Sequence, residues 1–279
     1  MNISGKTKVV GLLGWPVEHS LSPAMHNAAF RHLDMDYCYV TFPVRPDLLG
    51  DAVKGIKGLG LGGANVTVPH KENVMPFLDE ISEEAEFIGA VNTIKNDNGK
   101  LTGYNTDGRG FMQSLSEAGI DVRNKNILIV GAGGASRAIG YYLCKEAASV
   151  CLFDVDANKA GSLKERLNKL KGNVSLSVAD AIKSKEFFSG IDVVINATPL
   201  GLKPDDPMPL DMALIESRHI VCDLIYKETP FLRGAAKKGC KTMDGLGMLL
   251  WQGAFAFETW TGVKPPVDVM REALLRRGL

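Results

Sequence analysis

A chain of 279 residues, 45% hydrophobic and 23% charged, is long enough for two compact domains of roughly 100–150 residues each. Its 32 basic and 32 acidic side chains cancel, which excludes a whole-molecule field that would draw nucleic acid or an anionic membrane. Five cysteines, odd in number and without C-x-x-C spacing, argue against a disulfide framework or a zinc cage, so no metal is expected. Residues Met1 to Lys8 hold no continuous apolar run, and Leu246 to Phe257 falls short of the ~20 residues a membrane span needs. A cytoplasmic protein is expected.

In chain order, apolar strand-like runs at Val9 to Leu13, Tyr37 to Val44 and Ala64 to Val68 alternate with helix-like stretches at Pro23 to His32, Pro46 to Ile56 and His70 to Leu78. That alternation predicts an α/β fold with a largely parallel sheet. Asn96-Asp97-Asn98-Gly99 separates Ala90 to Ile94 from Leu101 to Tyr104 and predicts an edge hairpin. An amphipathic helix is expected from Thr106 to Glu117. A buried strand, Ile127 to Val130, follows, and strand-helix units recur at Val150 to Phe153, Val174 to Val178, Val193 to Ile195 and Ile220 to Cys222. This is the rhythm of a doubly wound dinucleotide-binding domain. Two helix-like segments close the chain, Leu246 to Thr259 and Val267 to Arg277, and are expected to pack back on the first domain. The reading divides the chain into a first domain, 1–107 completed by 246–279, and a dinucleotide-binding domain, 108–245.

The strand ending at Val130 runs into Gly131-Ala132-Gly133-Gly134-Ala135-Ser136 and then a helix. Gly131 lets the chain reverse, Gly133 leaves room for a pyrophosphate, and the helix start offers unpaired N–H groups to that anion. Ser136 stands where the fingerprint usually has a third glycine, a place that needs only a small residue. Asp154 ends the next strand about 20 residues on, where a carboxylate accepts hydrogen bonds from an adenosine ribose. Asp156 either adds a second negative charge or caps the helix after it. A 2′-phosphate there would meet like charge, a repulsion of order 4 kcal/mol at about 4 Å and an effective dielectric of about 20, before screening. NAD is therefore favoured over NADP. Asn196 and Thr198, after the strand ending at Ile195, and Gly247 complete the expected cofactor contacts.

Four polar clusters precede this turn: Ser20-Leu21-Ser22-Pro23 with His26-Asn27, Asn65 to Lys71, Ala90-Val91-Asn92-Thr93, and Gly103 to Asp107. Each lies where a strand-like run ends or a helix begins, which is where open α/β sheets place ligands. Two half-sites imply a two-domain enzyme. Ser22 also suits helix capping before Pro23. His26 and His70 are expected in structural roles, and the glycines from Gly55 to Gly63 form a tight helix-to-strand connection rather than a phosphate loop. Pro199, Pro204, Pro207 and Pro209 mark a stiff exposed loop.

With these clusters in place, the sequence resembles the shikimate dehydrogenase family, including its quinate/shikimate dehydrogenase relatives, over essentially the whole chain. The resemblance implies that Asn65-Val66-Thr67-Val68-Pro69-His70-Lys71 supplies a catalytic lysine, Lys71, and Asn105-Thr106-Asp107 its carboxylate partner, Asp107. It implies that Ser20 and Ser22 hold a substrate carboxylate, that Asn65, Thr67, Asn92, Tyr226 and Gln252 line a polyol pocket, and that the catalytic domain is discontinuous. The implied activity is reversible reduction of 3-dehydroshikimate to shikimate in aromatic amino-acid biosynthesis, by a monomer or homodimer with small-molecule partners only. NADP is the usual family cofactor, but NADP-selective members carry Asn-Arg-Thr where this chain has Asp154-Val155-Asp156. Lys159 reaches a phosphate only as a point charge. Lys227 after Tyr226 also departs from the Asn-Pro of many relatives. The rival readings are an NAD-dependent quinate dehydrogenase, a catalytically silent dinucleotide sensor, and a methyltransferase.

Overall fold

The computed structural model describes residues 3–170, 173–176, 181–203 and 205–276, so the expectations for Val178, Pro204 and Arg277 lie outside the described residues. The chain divides into two compact units, Met1–Gly110 with Leu250–Leu279, and Phe111–Leu249. No described helix is long and apolar enough to cross a membrane.

The first unit is built on a mixed sheet of β1 (Lys8–Gly14), β2 (Tyr37–Pro43), β3 (Gly63–Val66), β4 (Glu80–Ile81), β5 (Thr93–Asp97) and β6 (Lys100–Tyr104), in the order β2-β1-β3-β5-β6-β4. Strands β1, β2 and β3 run parallel, while β5 lies antiparallel to β3 and to β6. The hairpin joining β5 to β6 turns on Asn98 and Gly99, whose φ values of 53° and 92° fit the two left-handed positions that Asn-Gly favours. It is not the sheet edge as expected, because the two residues of β4 pair with β6 and take that place. Helices α1 (Ser22–His32) and α2 (Leu49–Gly58) connect the parallel strands.

Two stretches differ from expectation. His70 to Leu78 holds no α-helix; it is a run of turns followed by a single 3-10 turn at Met75–Phe77. Pro76 explains this, since it lacks the N–H that a helix would bond to Glu72 and its ring would strike that carbonyl. Lys71 therefore sits on a turn rather than at a helix start. Conversely, α3 (Glu83–Ile88) was not expected, although Ser82 caps it through the Ala85 N–H and Gly89 ends it at φ 72°.

Helix α4 (Asp107–Glu117) starts one residue later than expected. The second unit carries an all-parallel sheet of β7 (Asn126–Val130), β8 (Ser149–Phe153), β9 (Val174–Leu176), β10 (Val193–Asn196), β11 (Ile220–Asp223) and β12 (Lys241–Met243). Their order, β12-β11-β10-β7-β8-β9, reverses direction between β7 and β10, which is the doubly wound pattern with its ligand crevice at the switch point. Helices α5 (Gly134–Glu146), α6 (Ala157–Asn168), α7 (Lys185–Ser189) and α8 (Pro230–Lys237) belong to this unit. The strands are near-continuous apolar runs because both faces are covered: Ile127, Leu128, Ile129, Val193, Val194 and Ile195 are all fully buried. Strand β12 escaped the reading, being three residues long with Lys241 exposed.

Helix α9 (Leu246–Thr261) and α10 (Val267–Leu275) close the chain, and α10 packs on α1 as expected. Trp260 of α9 anchors that end by donating its indole N–H to the Ile94 carbonyl at 2.9 Å. All five cysteines are buried and none is in a disulfide.

Candidate active site

In the first unit the parallel strands deliver their loops to one end of the sheet. Gly14 ends β1, and a Cβ there would stand 2.3 Å from Thr67 Cγ2, so glycine lets the loop after β3 lie against it. The Trp15 N–H then donates to the Val68 carbonyl at 3.0 Å, tying the Trp15 to Ser20 loop to the Thr67 to Lys71 loop. His70 fixes the latter from behind, with Nε2 2.7 Å from the Val44 carbonyl oxygen. The Val91 N–H donates to the Lys71 carbonyl at 2.8 Å, setting Lys71 beside the segment that leads into β5.

Lys71 Nζ donates to Asp107 Oδ2 at 2.6 Å, across 36 positions of sequence. The carboxylate is nearly sealed, at 7% side-chain exposure, while the amine is open at 26%. Asn92 closes the other side of the carboxylate, donating Nδ2 to Asp107 Oδ1 at 2.8 Å and to Thr106 Oγ1 at 2.9 Å. Its Oδ1 accepts from the Thr106 N–H at 2.8 Å and from Thr93 Oγ1 at 3.0 Å. Asn65, 4% exposed, donates to the Asn92 carbonyl and to Thr93 Oγ1 at 3.2 and 3.1 Å. Thr106 Oγ1 donates to the Gln252 carbonyl at 3.0 Å, and Gly110 lets α9 approach so closely that a Cβ would meet the Gln252 nitrogen at 2.7 Å. Buried polar groups in such number persist only because each is satisfied.

Ser20 and Ser22 stand at the entrance to α1, with the Ser22 N–H bonded to Ser20 Oγ at 3.3 Å. Ser22 does not cap the helix: Leu21 is the N-cap, with no side-chain cap bond, and Ser22 itself is buried. Asn27, in the same cluster, serves the fold, since its amide both accepts from the Tyr39 N–H and donates to the Tyr39 carbonyl at 2.8 Å. His26 is fully buried with neither ring nitrogen hydrogen-bonded, and burial depresses it to about 3. It stacks on the Tyr39 ring at 4.4 Å. Both histidines are structural, as expected.

In the second unit the glycine turn follows β7. Gly131 has φ +104°, and a Cβ there would meet the Ala197 carbonyl oxygen at 2.9 Å. Around Gly133 and Gly134 a Cβ would meet nothing within 4 Å, which is the open cradle that a diphosphate needs. The first turn of the 13-residue α5 opens onto it, and Ala135 is partly exposed there. Ser136 is fully buried, and its hydroxyl has no hydrogen-bond partner among the described residues. Asp154 accepts from the Ala132 N–H at 2.7 Å and from the Asp156 N–H at 2.8 Å, so it holds the turn in shape while keeping lone pairs for a ribose. Asp156 caps α6 through the Asn158 and Lys159 N–H groups. Lys159 Nζ lies 3.7 Å from Asp156, and Val155 between the two acids is 96% exposed. These residues fit a dinucleotide.

Asn196 is wholly buried and its amide is committed to the protein, accepting from the Thr198 N–H and hydroxyl and donating to the Leu200 carbonyl and Asp223. Asp223, which the sequence did not single out, also accepts from the Thr229 hydroxyl, and burial pushes its carboxyl up. Tyr226 lies on the intervening loop with 44% exposure. Gly247 sits where a Cβ would meet Ser114 Cβ at 2.8 Å, so helix packing favours a glycine there. Tyr39 was also missed. Its signal was a hydroxyl-bearing ring in an apolar strand, a group that seeks a partner when buried.

A doubly wound sheet with a glycine turn at its switch point in one unit, and a lysine-carboxylate pair in the first α/β unit, define a dinucleotide-dependent oxidoreductase. Residues 12–94 match the family model described as the shikimate dehydrogenase substrate binding domain, and residues 245–275 match that of the shikimate 5'-dehydrogenase C-terminal domain. The chain belongs to the shikimate dehydrogenase family. It is 49% identical to the shikimate dehydrogenase (NADP(+)) of Desulforamulus reducens, with 98% of this chain and 96% of that protein covered. A crystal structure of a shikimate dehydrogenase with NADP+ superposes with a TM-score of 0.92 at 43% identity, covering 99% of this chain and 97% of the other. A shikimate 5-dehydrogenase from Listeria monocytogenes, solved with shikimate and NAD, gives 0.90 at 39% identity and 98% coverage of both.

Proposed function

We propose that the chain interconverts shikimate and 3-dehydroshikimate, as its relatives' names indicate, with Lys71 and Asp107 as the proton-transfer pair. The observation that carries the reading is the 2.6 Å contact of an accessible amine with a sealed carboxylate. A bound nicotinamide takes hydride from the carbinol carbon or returns it. As an amine, Lys71 takes the proton that leaves the hydroxyl oxygen; as an ammonium it gives that proton back to the carbonyl oxygen. Asp107, pinned by Asn92, holds the lysine at the reacting oxygen. Ser20 and Ser22 bind the substrate carboxylate. Asn65, Thr67, Asn92, Tyr226 and Gln252 bind its hydroxyls.

The residues 1–107 with 246–279 form the substrate domain in this reading, and 108–245 the cofactor domain. Gly131, Ala132, Gly133, Gly134 and Ala135 cradle the diphosphate, Asp154 takes the ribose hydroxyls, Thr198 and Gly247 line the nicotinamide end, and Asn196 supports Thr198 from behind. NAD is preferred over NADP: two carboxylates stand where a 2′-phosphate would sit, an exposed valine replaces the arginine of NADP-selective relatives, and Lys159 already faces Asp156. The same acids favour a second reading, an NAD-dependent quinate dehydrogenase acting through the same pair. The enzyme acts in the cytoplasm as a monomer or homodimer.

Steady-state rates for shikimate and quinate, each with NAD+ and NADP+, test this. The expected result is highest kcat/KM for shikimate with NAD+. Faster quinate oxidation selects the second reading, tenfold preference for NADP+ overturns the cofactor assignment, and no absorbance change with either acid overturns the activity.

A further inference from the structure

Tyr39 lies on β2, outside every motif considered above, and is 1% exposed. Its phenol donates to Asn65 Oδ1 at 2.9 Å. From Asn65 a single hydrogen-bonded line continues through Thr93 Oγ1 and Asn92 to Asp107 and ends at Lys71. The donors all point one way from the phenol to Asp107, so each bond polarises the next.

The chemistry of an asparagine amide makes the first link matter. Asn65 presents its Nδ2 to the Asn92 carbonyl and Thr93 only while its Oδ1 faces Tyr39. Without the phenol proton, Oδ1 is a buried acceptor with no donor, and turning the amide over would set oxygen against the Asn92 carbonyl. The ring itself is fixed by His26 stacked at 4.4 Å and by Trp260 at 6.0 Å, so the hydroxyl has one place to be. We infer that Tyr39 is a positioning residue for the substrate: one phenol oxygen, held by an aromatic box, orients the Asn65 amide. It acts through a residue assigned to the acid's hydroxyls, so the inference rests on the shikimate reading.

Tyr39→Phe removes the hydroxyl and keeps the stacked ring. The expected result is a KM for shikimate raised about three- to tenfold, the loss of one buried hydrogen bond, with kcat and the KM for NAD+ within twofold of wild type. A role in stability alone would lower the melting temperature and leave the shikimate KM in place. In an Asn65→Ala background the same change should add less than twofold, because the group it orients is gone. An unchanged or lowered KM in Tyr39→Phe overturns the inference even if Asn65→Ala fails to fold, as does a penalty undiminished in that background. Wild-type protein that does not turn over shikimate overturns both this inference and the proposed activity, whereas wild-type turnover with an unaltered Tyr39→Phe KM removes the inference alone.

Discussion

The two candidate half-sites are made of different material. The cofactor turn is one stretch of backbone, Gly131 to Ser136, whose function depends on the absence of side chains and on the N–H groups of α5. The candidate proton-transfer site is made of side chains from separated segments, around Lys71, Asn65, Asn92 and Asp107, held by amide and hydroxyl groups that satisfy one another in the interior. A backbone site is specified locally and is sensitive to any added atom. A side-chain site is specified by the fold and is sensitive to the loss of a group. Substitutions should therefore fail in opposite ways in the two places.

The largest effect is expected at Lys71. Replacing it with alanine should lower kcat by about 10²–10⁴, the span of acid-base groups, with little loss of stability because the amine is partly open to water. Near-normal turnover in single-turnover assays would remove Lys71 from the chemistry. Gly131→Ala should act the other way: with φ at +104° and the Ala197 carbonyl 2.9 Å from the new Cβ, it should destabilise the second unit by roughly 1–3 kcal/mol and weaken NAD+ binding. Urea unfolding and cofactor titration measure both, and unchanged values would mean that the turn tolerates a side chain.

The smallest effect sharpens the comparison by testing the wall behind the side-chain site. His26 is neutral in the fold because no charge or polar partner faces it: Phe30, Tyr39, Phe257 and Trp260 surround it, and its proton affinity falls to about 3. The unfolded chain binds a proton there near the ordinary value of about 6.5. Stability from this group is thus complete above about pH 6.5 and declines as pH falls toward 3, by roughly 1–2 kcal/mol between pH 7 and pH 5. His26→Leu should be less stable at pH 7 yet show a flatter profile down to pH 5. A slope identical to wild type would mean that other groups set the acid response.

The doubly wound half was legible in every strand but the short β12 because its signals are local: short apolar runs, the glycine turn after β7, and an acid at the end of β8. The front half was less so. Pro76 undid an expected helix from His70 to Leu78, and α3 went unread although Ser82 and Gly89 bracket it. Clusters near Ser20, Lys71, Asn92 and Asp107 stood out as polar residues at element ends, but nothing in their spacing said which atoms would meet. Tyr39 read as an ordinary strand residue and Asp223 lay just past an expected strand, since a buried hydroxyl or carboxylate reveals its partner only in three dimensions.

The linear order of residues was enough to give a two-part α/β chain, a glycine turn suited to a diphosphate, an acid at the end of the strand after it, and the chemical types available for proton transfer. These follow from periodicity and from what individual side chains permit at a turn. Tertiary structure alone decided that Lys71 meets Asp107 at 2.6 Å, that Asn92 braces the carboxylate, that Asn196 turns inward, and that a phenol donates to Asn65. The physical reason is that hydrogen bonds between distant segments exist only after hydrophobic burial has brought the strands into register.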